Sequence, residues 1–436
     1  MADNSLSSAQ SLLYDMRGPM QALYPKDHVL LAEFSGVGAE DPSSGRVTPN
    51  SNGSLPADNR EIFSGKQVRI PIDLHMLQGG GWVSETGTIN DPIAADFTEA
   101  HINLARVVQP TSITIDLEED SMDNSAAQGL ATLVRKTREA LAEIVNDAMN
   151  TTGATLATAD TTQSSAGGLT LKVLAGTDFD KLYPGKVVDV LTATTGADPG
   201  QGLRRKISSF SETASPPTIT FSTTQQAADG GTGNITLSNA VAVYTAGSYG
   251  QAMQGIEDAA NISGTDTFEN VPRATYPQFK AVDGRNGTTT TVPLTDALLD
   301  AGVLLGQRNG AFYWDFGIGD PSAINVFKNG KISMVRYTPD VAKLQSGFQG
   351  IVYNGTGQPI PIVPERKHNV GQVKLIRKDA ATLYGRRRGP DFEDSTGAIF
   401  MRFSRALPKE MWLVDRLQWG WHNPGSIVRY DNLATS

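Results

Sequence analysis

Apolar and polar residues show no regular period over residues 1–60, where turn-forming runs intervene: Gly18-Pro19, Asp41-Pro42-Ser43-Ser44-Gly45 and Pro49-Asn50-Ser51-Asn52-Gly53. A segment of this kind cannot bury a core of its own, so it predicts an arm that is ordered only where something else covers it. At Lys66 the pattern changes. Val68, Ile70, Ile72 and Leu74 alternate with Arg69, Pro71 and Asp73, the period of a strand with one buried face, and Pro71 puts that strand at a sheet edge. The run Gln78-Gly79-Gly80-Gly81-Trp82 interrupts it. Alternation returns at Ile102 and Leu104, then at Ile113, Ile115 and Leu117, so residues 61–118 predict a long two-stranded β excursion.

A helical period follows. Ala127, Leu130, Val134, Leu141, Ile144, Val145 and Ala148 fall on one stripe, with Arg135, Lys136, Arg138, Glu139, Glu143 and Asp147 largely off it. Ser125-Ala126-Ala127-Gln128 matches a capping box and Gly153 supplies a stop, which makes residues 119–153 a single helical unit. Its helix of about 25 residues would be roughly 37 Å long at 1.5 Å per residue.

Residues 154–250 shift to Thr, Ser, Ala and Gly, with short β-branched runs at Leu169–Leu174, Lys186–Leu191, Lys206–Phe210, Thr218–Phe221 and Val241–Thr245. Five short strands between turn clusters predict a small antiparallel barrel or sandwich, inserted as its own unit. Residues 251–380 are mixed α/β. Thr295 caps a helix from Asp296 to Arg308 closed by Gly310, and Asp320-Pro321 opens a second that Gly330 ends, with Gly317-Ile318-Gly319 read as its approach. Strands are expected at Ile332–Tyr337 and Ile360–Val363. Residues 381–436 form a terminal β segment with strands at Ala398–Phe403, Met411–Trp419 and Ser426–Tyr430, and with three of the five tryptophans, Trp412, Trp419 and Trp421. The fold class is α+β.

Composition narrows the chemistry. With 44 Gly, 23 Pro and only 19% charged residues among 436, the chain is rich in loops and strands. It has no cysteine, which excludes disulfides, thiolate metal sites and cysteine nucleophiles. The net charge of -9 disfavours wholesale nucleic-acid binding, whose affinity comes from neutralising phosphates. No apolar run approaches the ~18 residues of a membrane helix, and the first basic residue, Arg17, comes too late for a signal peptide, so a soluble, unexported chain is expected.

No enzymatic constellation stands out. His28, His75, His101, His368 and His422 are scattered, and Gly-x-Ser-x-Gly, P-loop and Gly-x-Gly-x-x-Gly patterns are absent, so no catalytic, cofactor-binding or metal residue is assigned. The adjacent acids Glu118-Glu119-Asp120 suit acid/base work in a glycosidase, but before a helix they complement its N-terminal dipole. The anomaly is a basic cluster. Arg366, Lys367, Lys374, Arg377, Lys378, Arg386, Arg387 and Arg388 stand against two acids, Glu365 and Asp379. Three readings stay open for it: a solvated face, pairing with acids of another subunit, and contact with packaged DNA. Few aromatics interleave with it, so base stacking is not expected. Gly79, Gly80, Gly81 and Trp82 suit either a ligand loop or, with long strands on both sides, a tip that docks on a neighbour.

The order of these elements resembles the major capsid proteins of tailed bacteriophages, whose fold is shared with encapsulin shells and the herpesvirus capsid floor. The local phrases most similar to that family are Gly65-Lys66-Gln67-Val68-Arg69-Ile70-Pro71, Ser112-Ile113-Thr114-Ile115-Asp116 and Trp412-Leu413-Val414-Asp415-Arg416. The resemblance implies an N-terminal arm (1–60), an extended loop with adjoining strands of a peripheral domain (61–118), the spine helix of that domain (119–153), an axial-type domain (251–380) and a C-terminal return (381–436). The 154–250 barrel is an insertion that minimal members lack. The implied function is a structural subunit, with no cofactor, that self-assembles into the hexamers and pentamers of an icosahedral head enclosing double-stranded DNA. Its implied location is the virion capsid, after assembly in the host cytoplasm. Implied partners are further copies of the chain, a portal, a separate scaffold and decoration proteins, with packaged DNA touched locally at most and no membrane. An encapsulin-like compartment shell is the alternative within the class, and a carbohydrate-binding or glycoside-cleaving β protein the alternative outside it.

Overall fold

The computed structural model describes residues 29–35, 61–63, 65, 67–73, 97–113, 127–163, 166–225, 233–309, 311, 313–334, 341–343, 349–355, 358–387, 390–393 and 409–435. The Gly79–Trp82 tip, Glu118–Asp120, the residues 125 and 126 of the capping box, His28, His75, Arg388 and the expected strand 398–403 lie outside the described residues.

The first described element is a short helix, α1 (Val29–Ser35), inside the segment expected to carry no element. Val29, Leu30, Leu31 and Phe34 are buried in the main core, at helical spacing, but seven residues are too few for the period to stand out. After β1 (Glu61–Ile62), strands β2 (Gln67–Asp73) and β3 (Phe97–Asn103) pair antiparallel from Gln67↔Asn103 to Asp73↔Phe97. They form the base of the predicted excursion, with Ile70, Ala100 and Ile102 turned into the core. The returning strand does not continue as one element: Leu104 separates β3 from β4 (Ala105–Ile113), which joins a different sheet.

Helix α2 (Ala127–Asn150) follows, 24 residues long, and Gly153 ends the run in the left-handed region at φ +54°. The C-terminal half of this helix is largely buried, with Glu143, Asn146, Asp147 and Asn150 interior alongside Leu141, Val145 and Met149.

Residues 155–245 form β5 (Thr155–Thr158), β6 (Ala166–Gly168), β7 (Thr170–Lys172), β8 (Val187–Thr192), β9 (Arg205–Ser211), β10 (Thr218–Gln225), β11 (Ile235–Leu237) and β12 (Val241–Thr245). Six of them order as β5-β12-β8-β9-β10-β7, and β6 pairs with β11. The edges meet: Asp160 N–H donates to Lys172 O at 2.9 Å and Leu174 N–H to Thr158 O at 3.0 Å, so the six strands close on themselves. Leu156, Leu171, Val173, Val190, Ile207, Ile219, Phe221, Val241 and Val243 fill this separate core.

Beyond α3 (Ile256–Ala259), the hairpin β13 (Thr267–Phe268) and β14 (Val271–Pro272), and β15 (Val282–Asp283), Thr295 caps α4 (Asp296–Arg308) by accepting the Leu298 N–H at 3.2 Å. Gly317-Ile318-Gly319 is part of a strand, β16 (Phe316–Gly319). A Cβ on Gly319 would lie 2.5 Å from Val373 Cγ2, so the small residues let neighbouring strands and their side chains close in. Helix α5 (Pro321–Met334) runs through Gly330 and takes in the first three residues of the expected strand 332–337. Gly330 does not adopt a left-handed φ, and a Cβ there would meet nothing within 4 Å, so the helix passes through it. The chain continues as β17 (Val341–Lys343), β18 (Gln349–Gly355), β19 (Gln358–Pro364), β20 (Val373–Ile376), β21 (Ala381–Gly385), β22 (Asp391–Phe392), β23 (Lys409–Trp421) and β24 (Val428–Tyr430).

Two sheets organise the rest. A mixed seven-stranded sheet orders as β15-β24-β20-β16-β19-β18-β17 and has its own core around Leu299, Val303, Trp314, Phe327, Tyr353 and Tyr430. The other is organised on the 13-residue β23, which pairs with β21 and β22 and, from Lys409↔Ile113 to Leu417↔Ala105, with β4. Trp419 and Trp421 are fully buried in β23, with ring centroids 5.1 Å apart.

Candidate functional site

The basic cluster does not form one surface. Arg366 is exposed, whereas Lys367 and Lys374 are interior and spent on contacts within the subunit. Lys367 Nζ reaches Asp147 Oδ1 at 2.6 Å and Glu143 Oε1 at 3.4 Å, both on α2. The other oxygen of Asp147 receives Lys186 Nζ, also at 2.6 Å, from just before β8 of the closed β unit. One carboxylate thus joins the spine helix, the 155–245 unit and the segment after β19. Burial pushes the Asp147 carboxyl up, but the two ammonium groups outweigh it and hold the group below its usual range. Burial works against the Lys367 ammonium too, and there Asp147 and Glu143 win, raising its pKa.

A second buried group adjoins the first. Lys374 is paired with Glu257, touches His368 Nε2 at 3.0 Å and donates to Gln372 Oε1 at 3.1 Å, while Arg429 approaches the second Glu257 oxygen at 3.2 Å. Burial pushes Lys374 down to about 8 against the pull of Glu257. His368, buried beside Lys374, is held well below its ordinary value by burial first and that ammonium second, so its imidazole is neutral. Lys181 Nζ donates to Asn369 Oδ1 at 2.6 Å, and its neighbour Asp178 is driven up to about 6 by burial. Glu143, Asp147, Lys186, Glu257 and Arg429 were not singled out as a site because nothing in their local sequence pairs them. Asp147 and Lys367 are 220 positions apart.

The remaining basic residues are nearer the surface. Arg377 is bound to Asp379, Lys378 to Glu33 of α1 and Arg387 to Asp391, while Arg386 Nη1 donates to Gly65 O at 3.3 Å. Arg386, Arg387 and Arg416 face Asp391, Glu393 and Asp415 across a cleft of about 210 Å³, so bases and acids balance there. An apolar groove of about 280 Å³ lies between β4, the buried half of α2 and the loop after β12, lined by Val107, Val108, Ile144, Ala148 and Met253 among others. Val108 and Ile62 are exposed apolar side chains. His101 lies 3.6 Å from Glu99 on the excursion, and His422 meets Thr382 Oγ1 at 3.0 Å. Among the described residues no group of three His, Asp or Glu could hold a metal, and no helix is long and apolar enough to cross a membrane.

Buried ion pairs thus tie α2 to the closed β unit and to the segment after β19, and tie α3 to β20 and β24 of the seven-stranded sheet. The chain's overall fold is the one seen in a solved phage capsid subunit. Among solved structures the chain is similar, end to end, to the Cyanophage A-1(L) capsid asymmetric unit, with 11% identity, a TM-score of 0.54, and 97% of this chain and 98% of that one covered. It also aligns with the capsid of the native GTA particle (10% identity, TM-score 0.43, 100% of each chain) and with the holo-SrpI encapsulin complex from Synechococcus elongatus (10% identity, TM-score 0.43, 86% and 85%). No family model and no curated protein matches the sequence.

Proposed function

We propose that the protein is a major capsid protein that assembles into the hexamers and pentamers of an icosahedral tailed-phage head around double-stranded DNA. The observation that carries this reading is the likeness of nearly the whole chain to the cyanophage capsid subunit. The β2–β3 hairpin supports it. A two-stranded element is marginal alone in water, and Ile70, Ala100 and Ile102 at its base are buried in the subunit's own core. In this reading the Gly79-Gly80-Gly81-Trp82 tip anchors the excursion on a neighbour, and Arg366, Arg386 and Arg388 face acids of another subunit or packaged DNA, whereas Arg387 is already paired with Asp391. Lys367 and Lys374 drop out of that surface because they are consumed inside. The 154–250 unit is an accessory insertion facing the capsid exterior, and portal, scaffold and decoration proteins complete the particle in the host cytoplasm.

Negative-stain microscopy of the full chain expressed alone and with its neighbouring phage proteins tests the reading. Closed icosahedral particles are expected, and particles recovered from infected cells should contain DNA. A chain that stays monomeric under every assembly condition would overturn it, and particles that enclose a protein cargo without DNA would favour the compartment shell.

A further inference from the structure

Helix α1 lies in a groove built wholly from distant parts of the same subunit. The backbone N–H of Val29 donates to Glu365 Oε2 at 2.9 Å across 336 positions of sequence. Glu365 is fully buried, and its other oxygen accepts the Lys367 N–H at 3.5 Å. Further along the helix, the buried carboxylate of Glu33 pairs with Lys378. The next residue, Phe34, wedges edge-on against Trp419, centroids 4.6 Å apart, and against Phe316 at 6.1 Å. Leu30 is completely buried below. A carboxylate facing the helix start, a cation for its acidic residue and an aromatic slot for its phenylalanine together select one short amphipathic helix. Without an occupant, Glu365 would lose its amide donor in the interior and two large aromatic faces would be bared.

We propose that this groove is a helix-docking site whose ligand is residues 29–35 of the same subunit, loaded before subunits meet, so that the arm is pinned near its middle. Pinning changes what the arm can reach. Whatever precedes Val29 then starts from the groove instead of from Glu61, so the 32 residues from Val29 to Arg60 no longer add up to about 110 Å of reach at roughly 3.4 Å each. In a shell, the reading on which this consequence rests, the arm is thereby confined to nearby subunits.

Zero-length coupling tests the docking on the unmodified chain. A carbodiimide condenses the Glu33 carboxylate with the Lys378 amine to an amide, taking up the water as its urea, and peptide mapping reads the product. The Glu33–Lys378 peptide is expected in dissociated subunits. In particles assembled from equal amounts of ordinary and nitrogen-15-labelled chain, every such peptide should be wholly light or wholly heavy. Mixed peptides at about half of the total would mean that the helix is exchanged between subunits, and absence of the peptide together with unprotected amides at residues 29–35 in dissociated subunits would mean that it is not docked there. Either result overturns the proposal. If no particle forms at all, the capsid reading fails while the dissociated subunits still decide the docking. As a second measurement, Phe34→Ala should speed amide exchange of residues 29–35 on the order of a hundredfold and leave the 155–245 strands unchanged. Equal exchange in both chains would also sink the proposal.

Discussion

Asp147→Ala is the sharpest test of the buried junction. The substitution removes the one carboxylate that stands 2.6 Å from both Lys186 and Lys367 and leaves two interior ammonium groups to share Glu143, which lies 3.9 Å and 3.4 Å from them. Stripping one partner from a buried pair costs about 3–5 kcal/mol, because the surviving charge keeps its desolvation penalty. At about 2 °C per kcal/mol for a chain of this size, melting should fall by about 6–10 °C. Calorimetry of dissociated subunits gives the magnitude. Hydrogen exchange gives the location, with protection lost first in the C-terminal half of α2 and around residues 186 and 367. Replacing the trio together, Asp147→Leu with Lys186→Met and Lys367→Met, removes the charges with their desolvation and should recover most of the loss. Because the Asp147 pKa is lowered in the fold, its contribution is complete above the ordinary carboxylate value of 3.8 and is lost as pH falls through that value towards the depressed one. A single variant that melts within a degree of the parent, or a triple variant less stable than the single one, would refute the reasoning.

Three other outcomes follow from particular contacts. Glu269, pushed up to about 8 by burial while accepting the Trp421 N–H, stabilises the fold fully below its ordinary 4.5 and progressively less as pH rises through 8; Glu269→Gln should flatten that part of a melting-versus-pH curve. Gly255→Ala would put a Cβ 2.1 Å from Thr151 O and 2.4 Å from Ala148 O at the end of α2, and should destabilise the subunit by about 1–3 kcal/mol, read by denaturant titration. Trp82→Ala should leave the subunit's circular dichroism and melting nearly unchanged and raise the concentration needed for particle formation, consistent with loss of an anchor worth about 2 kcal/mol; a variant that unfolds the subunit would place Trp82 in the core instead.

Elements whose signals are local were legible without the structure. The spine helix follows from its apolar stripe, α4 from a threonine cap, and the start of α5 from Asp320-Pro321. The β-branched runs of residues 154–250 overlap β7 to β10 and β12, because turn clusters mark both ends of each. Short elements escaped: α1 has seven residues, and β5, β6 and β11 have three or four, at most about two periods each and too few to stand out.

Long-range pairing lay beyond the sequence for a different reason. Period assigns a residue to one side of its own element and says nothing of what later covers that side. Glu143 and Asp147 sit off the apolar stripe of α2, and Lys367 and Lys374 belong to a run that reads as a charged surface, yet all four are interior, matched to partners from other elements. The division of β3 from β4 at Leu104 is likewise set from outside, by a 13-residue strand some 300 positions away that offers β4 a complete ladder. The sequence by itself determined where the longer helices and most of the longer strands lie and which of their faces are apolar, since those depend on neighbours within a few residues. Tertiary structure alone decided which charges meet, because burying an ion is tolerable only where the folded chain delivers a counter-ion within about 3–4 Å, and that depends on topology rather than on local composition.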